Sequence, residues 1–179
     1  MKLNIAQLGQ PVLWQPAQPV APAEIAGDAF QQFLRDMRET LLAEQGAGLA
    51  APQVFASLRV FLAGVLPRPT EQDPPGIEVF INPTIVDFSE ETSSAWEGCL
   101  SFPELVVLVE RHLAVRVEYL NEQGQARSLE LTGFPARVVQ HEYDHLEGIL
   151  TLDRVESSRH IIKASEIDTV RAKSDDEKV

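Results

Sequence analysis

The run Gln140-His141-Glu142-Tyr143-Asp144-His145 sets two imidazoles four residues apart, with a carboxylate directly after the first. On an α-helix that spacing turns both histidines to one side, where they can share a divalent metal, and leaves the glutamate free for proton transfer. At about 100° per residue, Phe134, Val138, His141 and His145 fall within roughly 60° of arc, and Glu142 stands about 60° from His145, beside an ion rather than on it. An open catalytic site takes three protein ligands. The chain has one cysteine, Cys99, in Glu97-Gly98-Cys99-Leu100-Ser101, and its sulfur is the soft donor that completes a Cys-His-His set. Taken alone, Cys99 also reads as a buried structural residue and the histidines as solvated positions of a surface helix. Together they imply a metal-dependent hydrolase, in which Glu97 is structural and holds a strand or a basic group such as Arg111.

A third stretch, Gly46-Ala47-Gly48-Leu49-Ala50-Ala51-Pro52-Gln53, puts two glycines among small apolar residues. Such backbone can line a cleft and pair with an extended peptide as an added strand would, and Gln53 offers an amide donor to a developing oxyanion. The same stretch alone also reads as a helix end followed by a turn.

These groups must be carried by regular elements. The histidine helix has Thr132 as a candidate N-cap, Pro135 in its first turn and Gly148 as its stop. An earlier helix is marked by Phe30, Phe33, Leu34, Met37 and Leu41, with Asp28 a candidate N-cap and Gly46 a candidate C′ residue. Segments 58–65, 77–81, 105–109, 114–119 and 127–131 read as strands, the last two joined as a hairpin across Asn121-Glu122-Gln123-Gly124. A short strand carrying Cys99 to Ser101 is expected to flank the metal. Residues 67–76 form a polar, Pro-rich loop. The order helix, antiparallel strands, helix predicts an α+β fold with the histidine helix enclosed by sheets.

The chain has 179 residues, 44% hydrophobic, enough for one sizeable core and a single domain. No apolar run approaches the ~18 residues of a membrane span, and the N-terminus lacks the layout of a signal peptide. One cysteine precludes an internal disulfide and fits a reducing cytoplasm. The net charge of −12 argues against a nucleic-acid groove. Residues 154–179 are charge-balanced, so the deficit lies wholly in residues 1–153; the tail reads as a solvated helix fraying over residues 174–179, or as a contact for an anionic partner.

In order and content, the three motifs resemble the signatures of the peptide deformylase family: Gly-x-Gly-x-Ala-Ala-x-Gln at Gly46 to Gln53, Glu-Gly-Cys-x-Ser at Glu97 to Ser101, and Gln-His-Glu-x-Asp-His at Gln140 to His145. The resemblance runs from the first helix to about Asp153, and implies a catalytic domain over residues 1–153 with 154–179 appended to it. It implies an α+β fold, a central metal-binding helix enclosed by antiparallel β-sheets. It implies Cys99, His141 and His145 as metal ligands, Glu142 as general acid/base, and Gln53 with the Leu100 backbone N–H as an oxyanion hole. The Gly48 backbone would receive the substrate, and Phe134 and Val138 would either line an apolar pocket for a methionine side chain or pack in the core. The implied activity is removal of the formyl group from N-formylmethionyl nascent peptides, with one divalent metal, Fe(II), for which Zn(II) or Ni(II) can substitute. A cytoplasmic location and a ribosome contact through residues 154–179 are the associated expectations.

Three departures from the family pattern bear on peptide contacts: Phe55 in place of a common glycine, Glu110 in place of a proline before Arg111, and Val106 where some relatives have arginine. A zinc endoprotease shares H-E-x-x-H, but Thr151 stands where its longer motif has a third histidine, so Glu166 would have to serve as ligand. A structural metal site would close with a fourth protein ligand and would not keep a free glutamate.

Overall fold

Alternation of side chains along one central sheet builds most of this molecule. The structure, a computed structural model, describes residues 1–67, 70 and 75–176, the last five as backbone only. Its helices are α1 (Pro22–Ile25), α2 (Asp28–Ala43), α3 (Gly133–Leu146) and α4 (Ile167–Asp176). Its strands are β1 (Gly48–Ala50), β2 (Val60–Leu66), β3 (Gly76–Phe88), β4 (Thr92–Gly98), β5 (Leu105–His112), β6 (Ala114–Leu120), β7 (Ala126–Thr132) and β8 (Ile161–Lys163). The pairings are antiparallel, giving a sheet ordered β1-β2-β3-β6-β7 and a smaller one ordered β4-β5-β8.

The larger sheet is covered on both faces. Phe61, Ala63, Phe80, Val115 and Val117 pack against Ala136, Val138, Val139 and Leu146 of α3. The alternate residues Val60, Leu62, Val79 and Ile81 pack against Leu34, Met37 and Leu41 of α2. At about 1.5–3 kcal/mol per large apolar side chain, these two layers dominate the stabilisation and fix the sheet register, because a slip of one residue would exchange the faces. Val107 and Val109 of the smaller sheet pack with Leu13, Phe102 and Leu150, and Cys99 joins that cluster. The helix α3 therefore lies between the two sheets, as the element order predicts.

Several local expectations change. Gly27, not Asp28, occupies the N-cap of α2. The left-handed residue after α2 is Gln45 (φ 53°) rather than Gly46. Gln45 N–H and Gly46 N–H reach back to the carbonyls of Leu42 and Leu41, which makes Gly46 the second residue past the cap of a Schellman motif. Thr132 does cap α3 by position, but its side chain makes no capping hydrogen bond. Gly148 stops α3 as expected, with φ 71°, and a Cβ there would meet the Trp14 backbone at 2.7 Å.

The strand expected at 77–81 runs to Phe88 because Asn82, with φ 50°, and an irregular register let β3 bend past Pro83 and go on to pair with β6. Strands β1, β4 and β8 were not expected as such. No strand carries Cys99: β4 ends at Gly98 and Cys99 opens a turn, where Phe102 N–H bonds the Cys99 carbonyl at 3.1 Å. Residues 161–176 hold β8 and the helix α4 in the segment read as a terminal helix; of the expected frayed end, residues 174–176 are helical and 177–179 lie outside the described residues. Much of the expected 67–76 loop also lies outside them. Among the described residues no helix is long and apolar enough to cross a membrane.

Candidate metal centre

Helix α3 presents His141 and His145 on one side, and the turn after β4 brings Cys99 to them. The three ligand atoms lie within 4.8 Å of one another. Cys99 Sγ stands 3.4 Å from His145 Nε2, and the two imidazole rings meet edge to face with centroids 5.1 Å apart. Two donors on one tetrahedral ion, at bonds of about 2.3 Å for sulfur and 2.05 Å for nitrogen, sit about 3.6 Å apart. The 3.4 Å pair matches that span, so the donor set suits a borderline-soft divalent metal, and a hard oxygen-seeking ion fits it poorly. Among the described residues Glu166 is exposed and outside this group, which removes the ligand a protease reading requires.

Each ligand is oriented differently. His141 Nδ1 pairs with Glu97 Oε2 at 2.9 Å, which turns its Nε2 toward the cluster. His145 Nδ1 is buried with no hydrogen-bond partner among the described residues. Glu97 also takes two bonds of 3.0 Å from Arg111, so the pairing of these two residues read from sequence is present. Arg137 adds a bond of 2.7 Å to Glu97 Oε1, while Arg111 and Arg154 both reach Asp144. Burial alone would raise the Glu97 pKa, but bonds from His141 and Arg111 outweigh it and hold the carboxyl well below its usual range. Burial likewise opposes charge on His141, yet its bonds to Cys99 and Glu97 hold it well above the ordinary value; burial and the neighbouring positive charge of His141 push His145 well below.

Glu142 is set against the backbone of β1. Its side chain lies where a Cβ on Gly48 would be, with Cγ and Cδ each 2.7 Å from that point. Glu142 is 4% exposed, its Oε2 has no partner among the described residues, and burial pushes its pKa up to about 7. A carboxyl poised near neutrality suits a proton shuttle. Gln53, in the short 3-10 turn after β1, accepts the Ala50 N–H at 2.9 Å through Oε1. Its amide nitrogen is thereby directed toward Cys99 Sγ at 3.5 Å and Ser101 Oγ at 3.3 Å.

A cavity of about 350 Å³ opens over this group, walled by Gly48, Gln53, Cys99, Leu100, His141 and Glu142 and by Phe134 and Val138. Phe134 is 64% exposed at the rim, whereas Val138 is buried and also part of the core. His145 lies behind this wall. The nine site residues singled out from sequence thus gather at one place, eight of them on the cavity and His145 beneath it.

The family model described as polypeptide deformylase matches residues 2–160. The chain belongs to the peptide deformylase family. As a family member it is a hydrolase, and the match reaches seven residues past Asp153. "Peptide deformylase 2" of Nostoc sp. is 43% identical over 166 residues, covering 92% of each chain. The Thermotoga maritima peptide deformylase is 39% identical over 159 residues, 89% of this chain and 90% of its own length. Among solved structures, the Met-Ala-Ser-bound class I type b peptide deformylase from Acinetobacter baumannii matches with a TM-score of 0.80 and 41% identity, covering 87% of this chain and 99% of its own.

Sequence reasoning missed Arg137, Asp144 and Arg154 as neighbours of the deformylase site. Arg137 stands one turn before His141, and that spacing was the available signal. The three departures are local. Phe55 adopts φ 64°, which explains why glycine is common there; Glu110 is exposed in β5 opposite Ser94, and Val106 faces Gly98 at the end of β4.

Proposed function

We propose that this chain removes the formyl group from the N-terminal methionine of new polypeptides, converting the N-formyl amide and water to a free amine and formate. The observation that carries the reading is the gathering of Cys99, His141 and His145 at one cavity with a buried Glu142 whose Oε2 has no partner among the described residues. The three would hold one divalent ion, Fe(II) by the family's habit, with Zn(II) or Ni(II) able to replace it. Such an ion supplies Lewis acidity, polarising the formyl carbonyl and acidifying water toward a pKa of about 7. Glu142 takes the proton of the attacking water and returns it to the departing nitrogen. The Gln53 amide and the Leu100 backbone N–H donate to the oxygen on which negative charge develops.

The substrate chain lies between two edge strands. β1 and β4 each end their sheets, and Gly48 and Gly98 from them line the cavity, so an extended peptide adds to free edges there. Phe134 and Val138 receive the methionine side chain. The Acinetobacter relative crystallised with Met-Ala-Ser supports a peptide of this type. Residues 1–153 carry the machinery; residues 154–179 belong to the same domain and offer a ribosome contact in a cytoplasmic enzyme, which co-sedimentation of full-length and truncated chains with ribosomes would check.

The test compares release of formate from an N-formylmethionyl peptide with release of acetate from the matched N-acetylmethionyl peptide, beside a casein digest. The walls at Gly48 and Cys99 are expected to leave room for one hydrogen on the carbonyl carbon and little more. An added methyl typically costs 1–3 kcal/mol of overpacking, so kcat/KM is expected to fall by roughly 10- to 100-fold or more. Equal rates on both acyl groups, or internal fragments from casein, would replace this reading with a broader amidase or protease.

A further inference from the structure

The residue that stands out beyond this machinery is Arg137. Its side chain is only 10% exposed. Its Nη1 donates to Glu97 Oε1 at 2.7 Å and to the Val109 carbonyl at 2.9 Å, and its Nη2 donates to the Ser93 carbonyl at 2.6 Å and to Ser93 Oγ at 3.2 Å. One guanidinium thus joins α3, which carries both histidines, to β4, which carries Glu97 and leads into Cys99, and to β5, which carries Arg111. Arg137 and His141 are four apart, so both reach the same carboxylate from one face of α3.

Glu97 is consequently saturated. Among the described residues it accepts four N–H groups: two from Arg111, one from Arg137 on Oε1, and His141 Nδ1 on Oε2. Arg111 holds the carboxylate from the strand side and also reaches Asp144 on α3. Arg137 adds the second tie, from the turn of α3 before His141. We propose that Arg137 is a positioning residue that locks Glu97 between α3 and the β4-β5 sheet, and so holds the His141 ring with Nε2 aimed at Cys99 and His145. A planar fork meeting a carboxylate and two carbonyls at once is a task for arginine and not for lysine.

The inference rests on the metal reading above, so the experiment separates the two. Wild type, Arg137→Met, which keeps the stem, and Arg137→Lys, which keeps the charge, are titrated with Zn(II) against a competing chelator. The histidine Nδ1–H proton resonances of the Zn(II)-loaded proteins are recorded alongside. Partners that orient metal-bound histidines typically contribute 10- to 100-fold in affinity. Arg137→Met is expected to bind Zn(II) about 10- to 100-fold more weakly, with the His141 Nδ1–H resonance shifted or lost to exchange. Arg137→Lys should fall between, and KM for a formylmethionyl peptide should stay unchanged in both. If Arg137→Met does not fold, Arg137→Lys against wild type carries the same comparison. Wild-type Zn(II) affinity and an unmoved resonance in the variants, with only the melting temperature reduced, would make Arg137 a plain brace and overturn the proposal. A raised KM at unchanged metal affinity would make it a substrate contact and also overturn it. Failure of the wild type itself to bind Zn(II) would instead remove the metal reading.

Discussion

Replacing Gly48 with alanine puts one methyl group against the acid/base carboxylate. The new Cβ would stand 2.7 Å from both Cγ and Cδ of Glu142, and closer still to Oε1. Ordinary van der Waals contact begins near 3.4 Å, so the carboxyl must retreat by about 0.7 Å or more, since a packed interior does not absorb sub-van-der-Waals contacts. The obstacle is the far end of one side chain that borders a cavity, not backbone, so it has somewhere to go. The stability loss should therefore stay near the low end of the 1–3 kcal/mol usual for overpacking, a shift of about 2–4 °C in melting temperature for a chain of this size. Catalysis should suffer more, because a displacement near 1 Å of a reacting group costs on the order of 100-fold. The assay is formate release from a formylmethionyl peptide with kcat and KM separated, beside metal content and a melting curve. We expect kcat reduced about 100-fold at unchanged metal content. A kcat within threefold of wild type would refute the claim that Glu142 must occupy the space over Gly48.

Three other outcomes are expected. Glu142→Gln should keep its metal and lose formate release by at least 10²–10⁴-fold, the usual worth of a positioned proton carrier; a near-wild-type rate would remove the acid/base assignment. Stripping the metal with a chelator should lower the melting temperature by about 5–10 °C, since an ion at 100 times its Kd stabilises by about 2.7 kcal/mol; an unchanged melting curve would mean that the Cys99, His141 and His145 group holds no metal. Phe55→Gly should stabilise the chain by about 0.5–1 kcal/mol, because a non-glycine residue in the left-handed region costs about 1–2 kcal/mol and glycine returns about half of that in chain entropy. Phe55 is 52% exposed and loses little packing; a lower melting temperature would show that its contacts outweigh the strain.

The histidine pair was legible because two residues four apart on a helix meet by local geometry alone. Cys99 was legible only by association, since nothing in the 41 residues between it and His141 states that the chain returns. Strand β4, Thr92 to Gly98, was invisible for a physical reason: Thr-Ser-Ser-Ala-Trp-Glu-Gly carries no apolar alternation, and it is held by seven register pairs with β5 and by the ions around Glu97. Arg111 was legible beside Glu97, but Arg137 and Asp144 show no sign of their partners, because each is polar in isolation. Only the closing of α3 against β4 and β5 makes them partners, and a single sequence does not display that closure. Gln45 displaced Gly46 from the left-handed position because the Schellman bonds from residues 45 and 46 can form around either residue type, at a modest backbone cost for glutamine.

The polar atoms of the site fall into two energetic kinds, and the division explains its design. Glu97 is bonded on every side, and a buried ion pair of this sort adds little net stability over apolar packing, so what it contributes is fixed geometry. Glu142 Oε2 and His145 Nδ1 are buried and have no protein partner among the described residues. A chain that can saturate Glu97 with four donors leaves these two atoms unpaired within a few ångströms of the same helix. For Glu142 the reason is chemical: a partner that stabilised its charge would hold its pKa down, whereas burial without one raises it to about 7, where it can both take and return a proton. The apolar layers on either side of the large sheet, Phe61 and Phe80 against α3 and Leu62 and Ile81 against α2, carry the stability that tolerates this.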